Sequence, residues 1–140
     1  MDALKLKNQI CFPLYACSKE IIRRYTPLLE PLGLTYTQYI AMMVFWEHKS
    51  LSVSELGERL YLDSGTLTPL LKKMERSGWI VRERSREDER RVVATITEAG
   101  ELLKEKAKHI PLQMMECTDM DNNDAMQLYS LLYKFLNSIK

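Results

Sequence analysis

The chain has little of what most catalytic and metal-binding sites need. It has five glycines and no Gly-rich phosphate loop. Its two histidines, His48 and His109, stand far from each other and from every cysteine. No zinc-ligand spacing forms, so neither a metal nor a cofactor is expected. The three cysteines, Cys11, Cys17 and Cys117, are odd in number and widely spaced, which is no disulfide framework. With no C-x-x-C pair and no thioredoxin-like strand–helix–strand pattern, an enzyme is not expected, and a thiol peroxidase stays only as a weak alternative that turnover of peroxide with a thiol donor would revive. No apolar run approaches the roughly 20 residues of a membrane span and no signal peptide opens the chain, so the cytoplasm is the expected compartment. Thiols start reduced there, and a functional cysteine is then a reactive or sensing one. A formal net charge of +1 excludes a general polycation.

What is present is a globular chain of 140 residues with locally segregated charge. Ser64 to Arg91 holds eight Lys/Arg against five Asp/Glu, whereas Glu98 to Asp124 holds three Lys against seven Asp/Glu. Any nucleic-acid surface therefore belongs to the first stretch.

Helical periodicity dominates. Leu6, Ile10, Leu14, Cys17 and Ile21 make one apolar stripe over residues 4–24, and Cys11, Tyr15, Ile22 and Tyr25 make a second beside it. Two stripes mean burial over most of the circumference, against a second subunit as well as the home core. Periodicity runs unbroken through Pro13, which favours a kinked helix over a later start. Thr26-Pro27 and Glu30 to Gly33 read as a turn-rich connection. Thr35 with Gln38, and Ser52 with Glu55, are capping boxes. The first opens a helix to His48 with Tyr39, Ile40, Met43 and Val44 on one face; the second opens a short one. Asp63 or Ser64 caps a third, with Leu67, Leu70, Leu71 and Met74 at helical spacing and Gly78 as its left-handed stop. Residues 79–84 and 91–96 read as two strands around a polar tip. Thr97 caps a long helix to Glu116, with His109 as a possible cap near its end, and Asp121 or Asn122 caps a last helix to Ser138. The Met residues near Cys117 (Met114, Met115, Met120, Met126) read as packing.

The fold class is thus mainly α with a small β-hairpin wing. Two short capped helices joined by Tyr61-Leu62-Asp63 make a helix-turn-helix, whose second helix suits the DNA major groove. Its apolar stripe faces inward, leaving Ser64, Gly65, Thr66, Thr68, Lys72, Lys73 and Arg76 for phosphates and base edges. The hairpin carries Arg82, Arg84, Arg86, Arg90 and Arg91; such a wing either reaches the minor groove or is simply solvated.

LDSGTLTPLLKKMERSGWI, the Asp88 to Arg90 triplet and ITEAG at Ile96 to Gly100 resemble the MarR family of winged-helix transcription regulators. The resemblance implies that Arg90 enters the minor groove and that Asp88 orients it. It also implies a homodimer joined through the first and last two helices. The expected organisation is one winged-helix domain over 1–140, with 1–34 and 98–140 as homodimerisation helices and 35–97 as the DNA-binding lobe.

On its residues alone, Cys11 is either a packed core thiol or a reactive one near a helix start, where the helix dipole favours negative charge. Asn8-Gln9, Cys11-Phe12, Leu14-Tyr15-Ala16 and LGLTYTQY at Leu32 to Tyr39 resemble the organic-hydroperoxide-sensing branch of that family. In that branch the early cysteine is the peroxide-reactive thiol. The match implies that Tyr25 and Tyr36 hydrogen-bond to Cys11, Tyr36 from the neighbouring subunit. Phe12, Leu14, Tyr15, Met42 and Met43 would give an apolar surround selective for organic hydroperoxides. Cys17 lies about 9 Å along the same helix, beyond the roughly 7 Å reach of a disulfide, and reads as packing. Cys117 falls where two-cysteine members of the branch carry their resolving thiol. The branch thus implies a redox-sensing regulator, a repressor of an inverted-repeat operator, released through an intersubunit Cys11–Cys117 disulfide when Cys11 is oxidised by an organic hydroperoxide or by another thiol oxidant such as a quinone or polysulfide. The alternatives are a small-thiol cap on Cys11, or a regulator controlled by a small phenolic or aliphatic ligand.

Overall fold

The structure is a computed structural model and describes residues 2–140. Its elements run α1 (Cys11–Leu29), α2 (Tyr36–His48), β1 (Ser50–Ser52), α3 (Val53–Leu60), α4 (Ser64–Arg76), β2 (Ile80–Arg84), β3 (Val92–Ile96), α5 (Glu98–Ala107), α6 (Ile110–Met115) and α7 (Asn122–Ser138). Turns of 3-10 helix occupy Leu6–Asn8 and Glu30–Leu32. The chain resolves into two compact units, one ending at Ile110 and the other Pro111–Lys140.

The helix starts follow the capping chemistry of the sequence. Thr35 Oγ1 accepts the Gln38 N–H at 3.3 Å and the Gln38 side chain accepts the Thr35 N–H at 2.9 Å, a reciprocal box at the start of α2. Ser52, Asp63, Thr97 and Asp121 each accept the N–H three residues on, opening α3, α4, α5 and α7. Each such cap stabilises its helix by about 1 kcal/mol. At the other end of α4, Gly78 takes φ +83°, and the N–H groups of Gly78 and Trp79 return to the Glu75 and Met74 carbonyls at 2.9 and 3.1 Å. That is a Schellman stop.

Met42, Phe45, Leu56, Leu67, Leu71, Met74, Ile80 and Ile110 form the core of the first unit, each under 2% exposed. The sheet is antiparallel, ordered β1-β3-β2, with Ser50 opposite Thr95 and Arg84 opposite Val92. β2 and β3 are the expected hairpin. β1 was not expected, because three residues are too few to show alternation. It forms because Lys49 takes φ +66° and offers its carbonyl to the Ile96 N–H at 2.9 Å, laying Ser50–Ser52 along β3.

Four expectations need correction. The first helix begins at Cys11 rather than residue 4, so Pro13 is its third residue; its missing N–H would have had no intrahelical acceptor, and no kink is required. The same helix runs through Pro27 to Leu29, because burial of Leu29 at 1% exposure outweighs one lost hydrogen bond. The long helix from Glu98 is two helices, α5 and α6. The Pro111 ring would clash with the Ala107 carbonyl four residues back, and Ala107 is where α5 ends; Lys108 is its C-cap and His109 lies beyond, in the break. On α2 the buried face is Gln38, Tyr39, Ala41, Met42, Phe45 and Trp46, while Met43 is exposed.

Candidate nucleic-acid interface and thiol site

The helix-turn-helix closes tightly. Tyr61 caps α3 in the left-handed conformation and the Leu62 N–H returns to the Gly57 carbonyl at 3.0 Å. A Cβ on Gly57 would stand 2.9 Å from the Leu62 carbonyl, so only glycine allows this approach. α4 then buries Leu67, Leu70, Leu71 and Met74. The sequence-predicted contact residues Ser64, Gly65, Thr66, Thr68, Lys72, Lys73 and Arg76 are all exposed. Asp63 is committed to the helix start: the Thr66 N–H donates to it at 2.7 Å and holds its carboxyl below the usual range.

The hairpin arginines divide by task. Arg84 Nη1 donates to the Glu89 carbonyl at 2.8 Å and Arg91 pairs with Glu55 of α3, so both hold the wing to itself or to the body. Arg82 donates to Glu75 of α4 through Nη2 at 3.1 Å and through its backbone N–H at 3.0 Å, and these bonds depress the Glu75 carboxyl. Arg86 and Arg90 point to solvent, Arg90 with 94% of its side chain exposed. Asp88 Oδ1 takes the Arg90 N–H at 3.0 Å and lies 3.5 Å from its Nε, which aims the guanidinium off the tip. Between α3, α4 and the wing lies an open groove of about 1100 Å³, lined among others by Asp63, Ser64, Thr68, Arg82 and Arg90. Glu75 and Glu55 were missed as wing supports; only the charge excess of the segment hinted that some arginines had partners.

Cys11 is the first residue of α1 and is exposed. Its neighbours Phe12 and Tyr15 are exposed too, their ring centroids 6.5 Å apart. Met42 does not line this thiol: it is fully buried in the core. Cys17, expected in packing, is exposed, because the chain covers so little of α1. Cys117 is exposed in the second unit.

Tyr25 and Tyr36 lie together, with ring centroids 4.9 Å apart, and Tyr39 completes a triangle at 5.5 and 6.4 Å. Tyr25 is fourteen positions beyond Cys11 on one helix, about 21 Å at 1.5 Å per residue. Within one chain, therefore, neither tyrosine reaches the thiol. Burial raises the Tyr36 phenol above its ordinary value; burial and then the Tyr36 charge raise Tyr39. Both phenols therefore stay protonated donors across the neutral range. The Tyr39 ring meets Trp46 edge-on at 6.4 Å, and Trp46 Nε1 donates to the Gly100 carbonyl at 2.9 Å. Among the described residues no His/Cys/Asp/Glu group is placed to hold a metal, and no helix is long and apolar enough to cross a membrane.

Residues 23–107 match the family model of the SarA/Rot transcriptional regulators. The organic hydroperoxide resistance transcriptional regulator of Bacillus subtilis is 51% identical over 99% of this chain and 94% of its own length. SarZ of Staphylococcus saprophyticus, an HTH-type transcriptional regulator, is 42% identical over 94% of this chain and 90% of its own. The structure of reduced AbfR bound to DNA superposes with a TM-score of 0.80 at 32% identity, over 94% of this chain and 91% of that one. AbfR of Staphylococcus epidermidis has also been solved overoxidised on DNA and in a disulfide form, with TM-scores of 0.74 and 0.70. A helix-turn-helix followed at once by an arginine-tipped hairpin defines a winged-helix transcription regulator, and the chain belongs to the MarR family of these proteins. Within the family it stands in the organic-hydroperoxide-sensing branch.

Proposed function

We propose that the chain acts as a homodimeric repressor that leaves an inverted-repeat operator when Cys11 is oxidised by an organic hydroperoxide. The observation that carries this is the place of Cys11: an exposed thiol on the first residue of a helix whose apolar side the chain itself leaves open. Exposed apolar residues on α1 and α7 would meet across the two-fold axis, burying the arms and presenting two copies of α4. Ser64 to Thr68 would enter the major groove, Lys72, Lys73 and Arg76 would meet phosphates, and Arg86 and Arg90 would follow the minor groove, with Asp88 orienting Arg90.

The chemistry balances. The Cys11 thiolate attacks the outer peroxide oxygen; the O–O bond breaks, sulfur is oxidised to the sulfenic acid and the alkoxide takes a proton. The tyrosine pair of the second subunit would donate hydrogen bonds to the thiolate and to the departing oxygen. The Cys117 thiol then displaces water from the sulfenic sulfur, forming an intersubunit disulfide that pulls the recognition helices out of operator spacing. AbfR lends support to the disulfide step, since a disulfide form of it exists beside the reduced form on DNA; its overoxidised form is also described on DNA, which favours release through the disulfide rather than through oxidation of one sulfur alone. The cytoplasm, where the thiols start reduced, is the compartment in which such a switch operates.

A gel shift on its own promoter, before and after cumene hydroperoxide, tests the reading. Wild type should be released, and Cys11→Ser should bind but stay bound. Release of Cys11→Ser by hydroperoxide defeats the sensor role. On a non-reducing gel the oxidised wild type should run as a crosslinked dimer; a Cys117→Ser protein that still crosslinks removes Cys117 from the scheme.

A further inference from the structure

We propose that Glu75 and Arg82 form the brace that fixes the reach of the wing from the recognition helix, making both positioning residues for DNA binding that need not touch DNA. The inference rests on the reading of α4 and the wing as one DNA-binding surface.

The covalent link between α4 and β2 is short, Ser77, Gly78 at φ +83° and Trp79, and it leaves the tilt of the hairpin beyond it to other contacts. Beyond it the hairpin projects to Asp88 and Arg90. Some six extended residues span about 20 Å, so a tilt of about 5° at the base moves the tip by about 2 Å. That is enough to lose a groove contact. The carboxylate of Glu75 removes this freedom by holding two groups of one residue, the Arg82 backbone N–H on Oε2 and the guanidinium on Oε1. One bond fixes the strand and the other fixes the side chain lying over it.

Arg82 suits a brace better than a groove contact. Its side chain is only 23% exposed, its Nε is buried without a partner, and its opposite number on β3 is the buried Ala94. Among the described residues its guanidinium has no other acceptor than Glu75. The second tie between wing and body, Arg91 with Glu55, joins two roughly half-exposed side chains and engages no backbone group. Exposed pairs of that kind hold geometry weakly. The two ties therefore make an internal comparison.

The test uses the reduced full-length protein and a fluorescent duplex selected by the wild type from a randomised pool. Glu75→Gln keeps an acceptor for the Arg82 N–H and removes the charge. Its Kd should rise about tenfold, and the slope of log Kd against log salt should fall by about 1 for each wing displaced. Amide exchange over residues 80–96 should accelerate while α2 is unchanged. Arg82→Lys, which keeps a cation on the strand and spares the fold, should show the same slope loss in smaller degree. Glu55→Gln should bind within about twofold of wild type with its slope intact. Wild-type slopes in Glu75→Gln and Arg82→Lys overturn the brace, as does a Kd rise with slope unchanged, which marks a merely structural role. Equal effects from Glu55→Gln also overturn it. A wild type that selects no duplex overturns the DNA-binding reading itself.

Discussion

α4 and α7 are both rich in apolar side chains, yet they spend them differently. α4 buries Leu67, Leu70, Leu71 and Met74 in one narrow stripe. α7 buries nothing, and Met126, Leu131 and Phe135 remain exposed along it. α1 behaves like α7: over nineteen residues only Leu29 is buried. A stripe filled by its own chain and a broad face left open are answers to different questions. The first makes the lobe fold; the second is the face that the proposed dimer would cover.

The comparison can be broken in order of expected effect. Leu131→Arg with Phe135→Arg on α7 should raise the dimer dissociation constant by at least about a hundredfold, near 3 kcal/mol, as loss of interface anchors does. Sedimentation checks this, and the lobe's fold should survive; a variant that stays dimeric denies the arms their role. Leu71→Ala should do the reverse, lowering the unfolding free energy by about 2–5 kcal/mol in urea titrations while the arms keep their apolar faces. Thr35→Ala, which removes the cap of α2, should cost about 1 kcal/mol in the same titration. The smallest effect is acidic. The Glu75 carboxyl is depressed in the folded state, so its tie to Arg82 contributes above the ordinary glutamate range and is lost as pH falls through the depressed value. Amide exchange over 80–96 should then loosen before α2 does as the pH falls below the ordinary glutamate range; simultaneous loosening would erase the distinction between brace and core.

The lobe was largely legible in the sequence because its signals are local. Thr35, Ser52, Asp63 and Thr97 sit at helix starts as their side chains demand, and Gly78 ends α4 where a left-handed residue is needed. The misses have physical reasons. β1 is too short to alternate. Pro27 signals a break locally, and the burial of Leu29 that overrides it lies outside local sequence, whereas Pro111 does mark the break that separates α5 from α6. The exposed face of α4 and the Asp88–Arg90 geometry followed from helical period and motif. The Glu75–Arg82 tie and the tyrosine triangle did not, since both join segments whose approach is set by the fold. The roughly 21 Å along α1 between Cys11 and Tyr25 is likewise a matter of helix length rather than of motif.

The Trp46–Gly100 hydrogen bond has an optical consequence. The chain has two tryptophans, and both Trp46 and Trp79 belong to the unit ending at Ile110, while α1 and α7 hold none. Emission from Trp46 should follow the loss of its bond to Gly100 and thus the melting of the lobe. Unravelling of α7, with the packed rings of Tyr129 and Tyr133, is invisible in that channel and shows only in helicity and phenol absorbance. The protein carries its own two-colour readout: one chromophore for the part that reads DNA, another for an arm.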